Sequence, residues 1–499
     1  MNHSGHSRLR TVLSCSAPAL GFFLVSLIGL DRIPYFGGDE AYPASTAWTF
    51  VSQGRFAREI TAGSLGTNVF DAYPPLWILL LSGVYKVFDA GIWTTRVPSI
   101  AAAALTIALL SCAVRTLTGS NLKATFAGVV YAFDPLLLQR ARIGRMEPLA
   151  VLFVCAGICA TCARGRRWWW FAGLCFACAV ASYQFAALAA AAWLLGLLAA
   201  RELRRACFVA LGGATGVALW TVWAWGHWDQ FRAQVLDTGQ AYTEPVLLAV
   251  VHEWQRYFNL HAALHAPTAI PFYALAPLLA AFAFVRSKLP LERAVCVACI
   301  AEIVLFAFVG MKSSAFYFVF ATPFVVLVLS MSIDATARWT RRLSFALAAG
   351  SVLGGALVLG GLGYRLAKEW SCRDPYRFDT AVGPVLERAI SAGKTVVGPN
   401  ALWLPTIRRG GVHRVIFDDQ GAQTESLLRG FADDGAALAA AGVIAFDDGA
   451  ETLIRRYPAL QRELTSRTKT LDLTAGCNPS TFGVTFYERT AGDALHTSE

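Results

Sequence analysis

The sequence predicts a polytopic α-helical membrane protein with about 11 transmembrane helices and a C-terminal soluble α/β domain. Hydrophobic residues make up 56% of the 499 residues and charged residues only 15%, whereas about a quarter of the residues of a soluble domain are charged. Several apolar runs approach the roughly 20 residues that a helix needs to cross a bilayer. The composition becomes polar and mixed after residue 363, which separates a membrane domain, 1–363, from a soluble domain, 364–499.

The basic residues indicate membrane orientation rather than nucleic-acid binding. The formal net charge is +10, but the lysines and arginines cluster in short loops between apolar runs. Such loops face the cytoplasm, so the N-terminus and the five basic loops are predicted to be cytoplasmic. No nucleic-acid partner is therefore expected, and the chain is predicted to be an integral protein of the cell (inner) membrane.

The first apolar run and the loop after it determine the sidedness of the whole chain. Residues 11–30 are predicted to form an uncleaved membrane anchor, because no small-residue cleavage site follows them and further spans do. The outer loop 31–74 comes next. The apolar part of 75–88 is too short to span, and its Trp77, Tyr85 and Lys86 suit a membrane interface. An interfacial helix is therefore predicted there; a crossing would turn every later basic loop outward.

The remaining spans and the soluble tail follow from apolar length and strand patterns. The predicted outer segments include 139–147, 227–265 and 364–499. Short buried strands are predicted at 394–398, 443–448 and 482–487, and helices at 436–441 and 451–457. The further spans are predicted over 96–114, 124–138, 148–163, two helices in 168–200, 207–226, a span that ends at 286, 294–310, 316–333 and 343–363.

Most of the 12 cysteines fall inside apolar spans, where they are interpreted as small buried hydrophobes. Cys372 and Cys477 lie in the polar tail instead. If that tail is extracytoplasmic, the two are predicted to form a disulfide. Four histidines lie in the predicted outer loop 227–265, and His227 and His252 are the first two of them. The spacing of the four matches no standard metal site. No metal ligands are assigned, and a requirement for a divalent metal stays open.

The first chemistry-bearing feature is a pair of adjacent carboxylates, Asp39 and Glu40, placed where the first span is predicted to emerge into water. Ionisable residues at such a position are expensive and are functional candidates by default. Gly37 and Gly38 let the backbone bend tightly just before them. The alternative interpretation is a solvated acidic loop.

Two further outer sites are predicted to converge on these carboxylates. The first contains Arg142, Arg145 and Glu147, which form a basic loop on the side of the membrane where basic loops are not expected, so anion binding is the favoured use. The second is Lys312, at the outer end of a span. The alternatives are a helix-capping role for Glu147 and a snorkelling lysine at 312.

Taken in order, these motifs resemble a known family. They are the outer Asp-Glu pair with Tyr42 two residues later, a Pro-Pro-Leu interfacial helix at Pro74, an Arg-Val-Pro-Ser start of the second span, Arg-Met-Glu-Pro before the fourth, and Lys312 ahead of an aromatic span. The chain resembles, over about residues 10–335, GT-C glycosyltransferases of the protein O-mannosyltransferase and aminoarabinose-transferase (ArnT-like) type. It departs at Tyr73, where some relatives carry a basic residue. The tail carries no assignment.

The resemblance implies an inverting transfer of a sugar from a polyprenyl-phosphate donor to an acceptor hydroxyl on the outer face. It implies Asp39 as the base, Glu40 and Glu147 as its catalytic neighbours, and a donor-phosphate site. That site would consist of Arg142, Arg145 and Lys312. The groove for acceptor or lipid would include Tyr42, Tyr73, Pro74, Pro75 and Tyr317.

Two other functions stay open from the residues alone. A transporter or flippase for a lipid-linked saccharide would also need many spans, but only Asp134 and Glu302 place acidic charge inside them. The sequence also shows neither an inverted repeat nor a pair of broken helices. The third possibility is a non-catalytic membrane subunit whose tail binds partners. The acceptor, which the sequence does not name, is a lipid, a polysaccharide or a protein.

Overall fold

The structure, a computed structural model, describes the chain in segments separated by gaps. The described residues are 3–31, 40–57, 74–232, 246–257, 269–308, 315–333, 338–371, 377–398, 402–415, 441–447, 461, 464–473 and 484–488. Asp39, Tyr73, Lys312, Cys372 and Cys477 lie outside them, as do most of the tail helices predicted from the sequence.

The described residues up to Ser371 are mostly helical. The helices are α1 His3–Leu27, α2 Ala41–Gln53, α3 Pro75–Phe88, α4 Ile92–Thr118, α5 Asn121–Ala132, α6 Pro135–Arg142, α7 Glu147–Cys162, α8 Arg166–Ser182, α9 Ala186–Ala199, α10 Leu203–Trp225, α11 Trp228–Phe231, α12 Val246–Val251, α13 Ala269–Ala274, α14 Ala276–Arg286, α15 Pro290–Ala307, a 3₁₀ helix Ala315–Phe320, α16 Thr322–Ser332 and α17 Arg338–Ser371.

Three described helices are long and apolar enough to cross a membrane. They are Ile92–Thr118, Leu203–Trp225 and Arg338–Ala367. Shorter apolar helices lie at Val12–Leu27, Pro75–Phe88, Glu147–Cys162, Ala186–Ala199, Ile270–Arg286 and Thr322–Ser332. The helix predicted at 75–88 is present with those bounds. Its Trp77 and Leu81 are buried while Val87 and Phe88 are exposed.

The predicted span 124–138 is wrong as a single helix, because the chain breaks into α5 and α6 at Phe133 and Asp134. Pro135 has no backbone N–H and disfavours helical geometry in the residue before it. The Asp134 carboxylate then caps the new helix by accepting a hydrogen bond from the Leu137 N–H at 2.7 Å. The backbone of α17 crosses this break closely: a Cβ at Gly355 would lie 2.0 Å from the Phe133 carbonyl oxygen.

Two more predicted spans are interrupted in the same way. The span that ends at 286 consists of α13 and α14, which meet at Leu275, and a proline follows in the first turn of α14. The span at 316–333 begins as the 3₁₀ helix and continues as α16, which has Pro323 in its first turn. The expectation that the chain has no pair of broken helices is therefore wrong, and this argument against a transporter falls away.

The C-terminal part contains a mixed five-stranded sheet. Its strands are β1 Thr395–Gly398, β2 His413–Val415, β3 Ala441–Asp447, β4 Thr468–Leu473 and β5 Val484–Glu488. Their order is β2-β1-β3-β5-β4, with β1 parallel to β2 and β3, and β5 antiparallel to β3 and β4. The three strands predicted from the sequence correspond to β1, β3 and β5.

Two further helices accompany the sheet. Helix α18, Arg377–Ser391, packs Val382 and Leu386 against the sheet residues Val396 and Phe486. The short helix α19, Trp403–Ile407, packs against the membrane helices instead of the sheet. Its Trp403 and Leu404 are buried in the core that those helices form. Contact between α19 and α2 thus places this part of the C-terminal region beside α2.

Candidate active site

Glu40 forms a buried ion pair with Arg96. The carboxylate stands at the N-cap of α2 and the arginine near the start of α4, and neither side chain is more than 2% exposed. The guanidinium donates to both oxygens, with Nε to Oε2 at 3.1 Å and Nη2 to Oε1 at 2.5 Å. Such bidentate, charge-assisted pairs fix orientation strongly. Glu40 is therefore held in one position by α4.

Arg145 and Glu147 form a second buried pair. The Arg145 Nε lies 3.1 and 3.2 Å from the two carboxylate oxygens, and Nη2 donates to Oε1 at 2.9 Å. Arg140 adds a second guanidinium 4.0 Å from the same Oε1. Glu147 is fully buried at the first residue of α7, where the helix dipole also favours a carboxylate. The N-cap of α7 is Met146 rather than Glu147, so the capping interpretation is wrong, and Glu147 is paired with Arg145 instead.

The two pairs are neighbours, as the sequence predicts for the outer acidic and basic motifs. Gly144 has φ +59°, and a Cβ there would lie 3.1 Å from the Glu40 Oε2 and 2.9 Å from the Thr95 Cγ2. Directly after it, the Arg145 carbonyl accepts a hydrogen bond from the Ser99 hydroxyl at 3.0 Å. The turn between α6 and α7 therefore lies against both the start of α2 and the outer end of α4.

The Arg142 guanidinium binds backbone carbonyl groups and does not face the two ion pairs. Its Nη1 donates to the Ser26 carbonyl at 2.6 Å and its Nη2 to the Ile28 carbonyl at 3.0 Å. Arg96 reaches the same stretch, donating from Nη1 to the Leu30 carbonyl at 2.7 Å. These are the carbonyls at the end of α1, which have no partner inside the helix. The two arginines thus anchor the chain just before the segment that contains Asp39.

An aromatic cluster lies beside the Arg145–Glu147 pair. The rings of Phe185 and Tyr317 stack with centroids 4.2 Å apart, and Tyr183 stacks on Phe320 at 6.0 Å. Tyr183 follows α8 directly and interacts electrostatically with Glu147 and Arg145. Its burial raises the pKa of its hydroxyl well above the usual value, so it remains a neutral donor. Tyr317 is only 8% exposed.

The residues predicted to line a groove take different positions. Tyr42 is 3% exposed and packs in the main core. Pro74 is the N-cap of α3 and Pro75 its first residue, the position where a missing N–H costs nothing. Towards the other end of α3 the Tyr85 hydroxyl lies 2.6 Å from the Thr95 hydroxyl, which joins α3 to α4 beside Glu40.

Sequence reasoning named the motif that contains Arg96 but gave this residue no role. An available signal was its position at the outer end of an apolar helix, since a buried arginine needs a partner. Tyr183 and Phe185 were missed as well, because an aromatic residue near a span end also fits an interfacial anchor. Among the described residues, no group of three or more His, Cys, Asp or Glu side chains is placed to hold a metal ion.

Comparison with known proteins identifies the architecture. Residues 72–225 match the family model of dolichyl-phosphate-mannose-protein mannosyltransferases. The fold is similar to that of ArnT from Cupriavidus metallidurans bound to undecaprenyl phosphate, with a TM-score of 0.62 at 14% identity over 97% of this chain and 98% of that one. No significant sequence match was found among curated proteins.

A second solved structure has the same general fold. The oligosaccharyltransferase of Archaeoglobus fulgidus, in a complex with Zn and sulfate, gives a TM-score of 0.51 at 14% identity over 95% of this chain and 73% of that chain. Both enzymes are GT-C glycosyltransferases. The family match and the fold together indicate that this chain is a glycosyltransferase with the GT-C fold.

Proposed function

We propose that the protein transfers a sugar, with inversion, from a polyprenyl-phosphate donor to an acceptor hydroxyl on the extracytoplasmic face of the membrane. The observation that carries this proposal is the convergence of the Glu40–Arg96 and Arg145–Glu147 pairs around Gly144. It brings a carboxylate motif and a cluster of guanidinium groups to one place in a fold shared with GT-C enzymes. A base for the acceptor and cations for a phosphate leaving group are the two requirements of this reaction.

Asp39 is the proposed base. It precedes Glu40, whose position is held by Arg96, and it follows the stretch that Arg96 and Arg142 anchor through the Leu30 and Ser26 carbonyls. In the reaction Asp39 accepts the proton of the acceptor hydroxyl as its oxygen attacks the anomeric carbon. The bond from that carbon to the phosphate oxygen breaks, and the lipid phosphate leaves with the electron pair.

The proposed phosphate site combines Arg145 with Lys312. Glu147 fixes the Arg145 guanidinium through three contacts of 2.9 to 3.2 Å, so the cation is oriented before the donor arrives. Preorganised cations are worth more than mobile ones because they need no rearrangement as charge develops. Arg142 supports the proposed site indirectly, because its guanidinium binds the backbone carbonyls at the end of α1.

A transporter of lipid-linked saccharides remains the second candidate, favoured by the interrupted helices around Asp134 and Leu275. One experiment separates the two functions. Purified protein in detergent with lipid is given polyprenyl phosphate bearing a radiolabelled sugar, together with membrane extract as acceptor. Release of polyprenyl phosphate with labelled acceptor supports the enzyme. An intact donor, with movement of the label across proteoliposomes, would support the transporter.

A further inference from the structure

A second cavity lies beside the candidate active site, between the helical part and the sheet-bearing part. Its volume is about 380 Å³, within the range of roughly 300–1,000 Å³ that small-molecule sites occupy. We call it the junction cavity. Its lining comes from α2, the α3–α4 connection and the end of α19, and comprises Trp48, Phe88, Asp89, Ala90, Gly91, Ile92, Trp93, Thr94, Ile407 and Arg408.

Asp89 is held in a strained conformation at this cavity. Its φ of 64° and ψ of 165° place it in a region that is populated almost only by glycine. A glycine at 89 would relieve the strain, yet the chain has an exposed aspartate there. Strain of this kind persists at sites that use the side chain. The observation therefore points to a use for the Asp89 carboxylate in the cavity.

Arg408 supplies the opposite charge from the other wall. In the described part of the chain, no salt bridge or side-chain hydrogen bond engages Asp89 or the Arg408 guanidinium. The guanidinium approaches the backbone of Gly91, where an added Cβ would lie 3.8 Å from Nη2. Two ionised groups that line one cavity without pairing with each other are both available to a ligand.

The remaining polar and aromatic lining fits a saccharide. The indole rings of Trp48 and Trp93 offer flat apolar faces with an N–H at the edge, which complement the C–H face of a pyranose ring. A carboxylate accepts hydrogen bonds from sugar hydroxyls and a guanidinium donates to them.

The position of the junction cavity connects it with the transfer reaction. Trp48 lies eight residues after Glu40 on the same helix, about 12 Å along its axis. Thr94 lines the cavity two residues before Arg96, the partner of Glu40. We propose that the junction cavity binds a saccharide portion of the acceptor, which makes the acceptor a carbohydrate or a glycolipid rather than a peptide. Its link to the acceptor rests on the proposed function.

Binding is tested separately from transfer. The full-length protein in detergent is applied to an array that carries neutral, acidic and amino-sugar oligosaccharides, together with serine- and threonine-containing peptides. We expect glycan binding that weakens at least about tenfold in Arg408→Ala, the loss expected when a charge-assisted hydrogen bond disappears. Binding should also weaken in Trp48→Ala, which removes an apolar ring face. Arg409→Ala is the matched control, since its guanidinium is absent from the lining and donates to the Pro405 carbonyl.

Asp89→Gly separates a ligand role from a structural one. Because it relieves strain, it should raise the melting temperature, and we expect it to weaken glycan binding nonetheless. Unchanged binding in Asp89→Gly and Arg408→Ala, no bound glycan, or peptide binding that depends on Arg408 would each overturn the inference. Binding of the labelled donor should be normal in these variants; a wild type that binds glycan but transfers no label from the donor to the membrane-extract acceptor would count against the proposed function instead.

Discussion

Arg96 and Glu40 form a buried bidentate ion pair that joins the start of α4 to the N-cap of α2. The same guanidinium also donates to the Leu30 carbonyl. One side chain therefore fixes both ends of the segment that contains Asp39.

The first prediction concerns this pair. Arg96→Met leaves the Glu40 carboxylate buried without its cation, which costs about 3–5 kcal/mol when one partner of a buried pair is removed. We expect a large fall in melting temperature, measured by tryptophan fluorescence in detergent. The double variant Glu40→Gln/Arg96→Met should recover part of it, because no buried charge remains. Arg167→Met, at an exposed position, should melt like the wild type.

The second prediction uses two glycines with the same backbone conformation. Gly144 and Gly119 have φ of +59° and +70°, so alanine costs each about 1–2 kcal/mol. At Gly144 the new Cβ also meets the Glu40 Oε2 at 3.1 Å, whereas at Gly119 it meets only an Arg115 nitrogen at 3.8 Å. Because the Gly144 Cβ also meets the Thr95 Cγ2 at 2.9 Å, we expect Gly144→Ala to lose more stability than Gly119→Ala. In the protein that remains folded, we expect a fall of at least tenfold in transfer for Gly144→Ala alone. Equal transfer rates for the two variants would contradict the placement of Glu40 in the site.

The third prediction concerns the interruption between α5 and α6. Asp134 caps α6, and its Oδ2 accepts a hydrogen bond from the Tyr273 hydroxyl at 3.2 Å, which in turn lies 2.8 Å from the Thr322 hydroxyl. Asp134→Asn keeps the cap, since asparagine caps as well as aspartate. Asp134→Ala loses the cap and leaves a buried hydroxyl with fewer partners, at a cost of about 1–3 kcal/mol. Thermal unfolding should separate the two variants; identical melting would show that the network contributes nothing.

The fourth prediction concerns membrane sidedness. Single cysteines introduced in 116–122 and 287–292 should react only with reagents that reach the cytoplasm, because these loops belong to the basic set. Cysteines introduced in 408–411, where the chain is at least partly exposed, should react from outside. Labelling of the first two loops from outside would mean that α3 crosses the membrane and that the proposed orientation is inverted.

Helix positions were largely predictable because an apolar run of sufficient length has few alternatives in a bilayer. The breaks at Asp134, Leu275 and Ala321 were not, because hydropathy ignores the effect of a following proline on the backbone. The sequence did contain that signal: the first of these breaks is an Asp-Pro pair, a cap followed by a first-turn proline. Each of the three breaks is followed by a helix with a proline in its first turn, so reading prolines before hydropathy would have located all three.

The site was predictable in its motifs but not in its pairings. The approach of residues 144–147 to Glu40 follows from order and sidedness, and the structure brings the two together. Which group each arginine binds does not follow from the sequence, because any arginine predicted on the outer side could bind an anionic ligand equally well. Arg142 was assigned to the donor phosphate, yet its guanidinium holds the carbonyls at the end of α1. A sequence motif does not show which backbone carbonyls at a helix end need a hydrogen-bond donor. The binding of Arg142 to these carbonyls was therefore not predicted.

The central claim is that Asp39 accepts the proton of the acceptor hydroxyl. The direct measurement is the turnover of radiolabelled polyprenyl-phosphate sugar by Asp39→Asn, with donor binding and melting temperature recorded on the same preparation. We predict a loss of about 10²–10⁴ in turnover with donor binding largely kept, a smaller loss for Glu40→Gln, and weaker donor binding as well as turnover for Arg145→Ala and Lys312→Ala. Near-normal transfer by a folded, donor-binding Asp39→Asn protein would contradict the assignment.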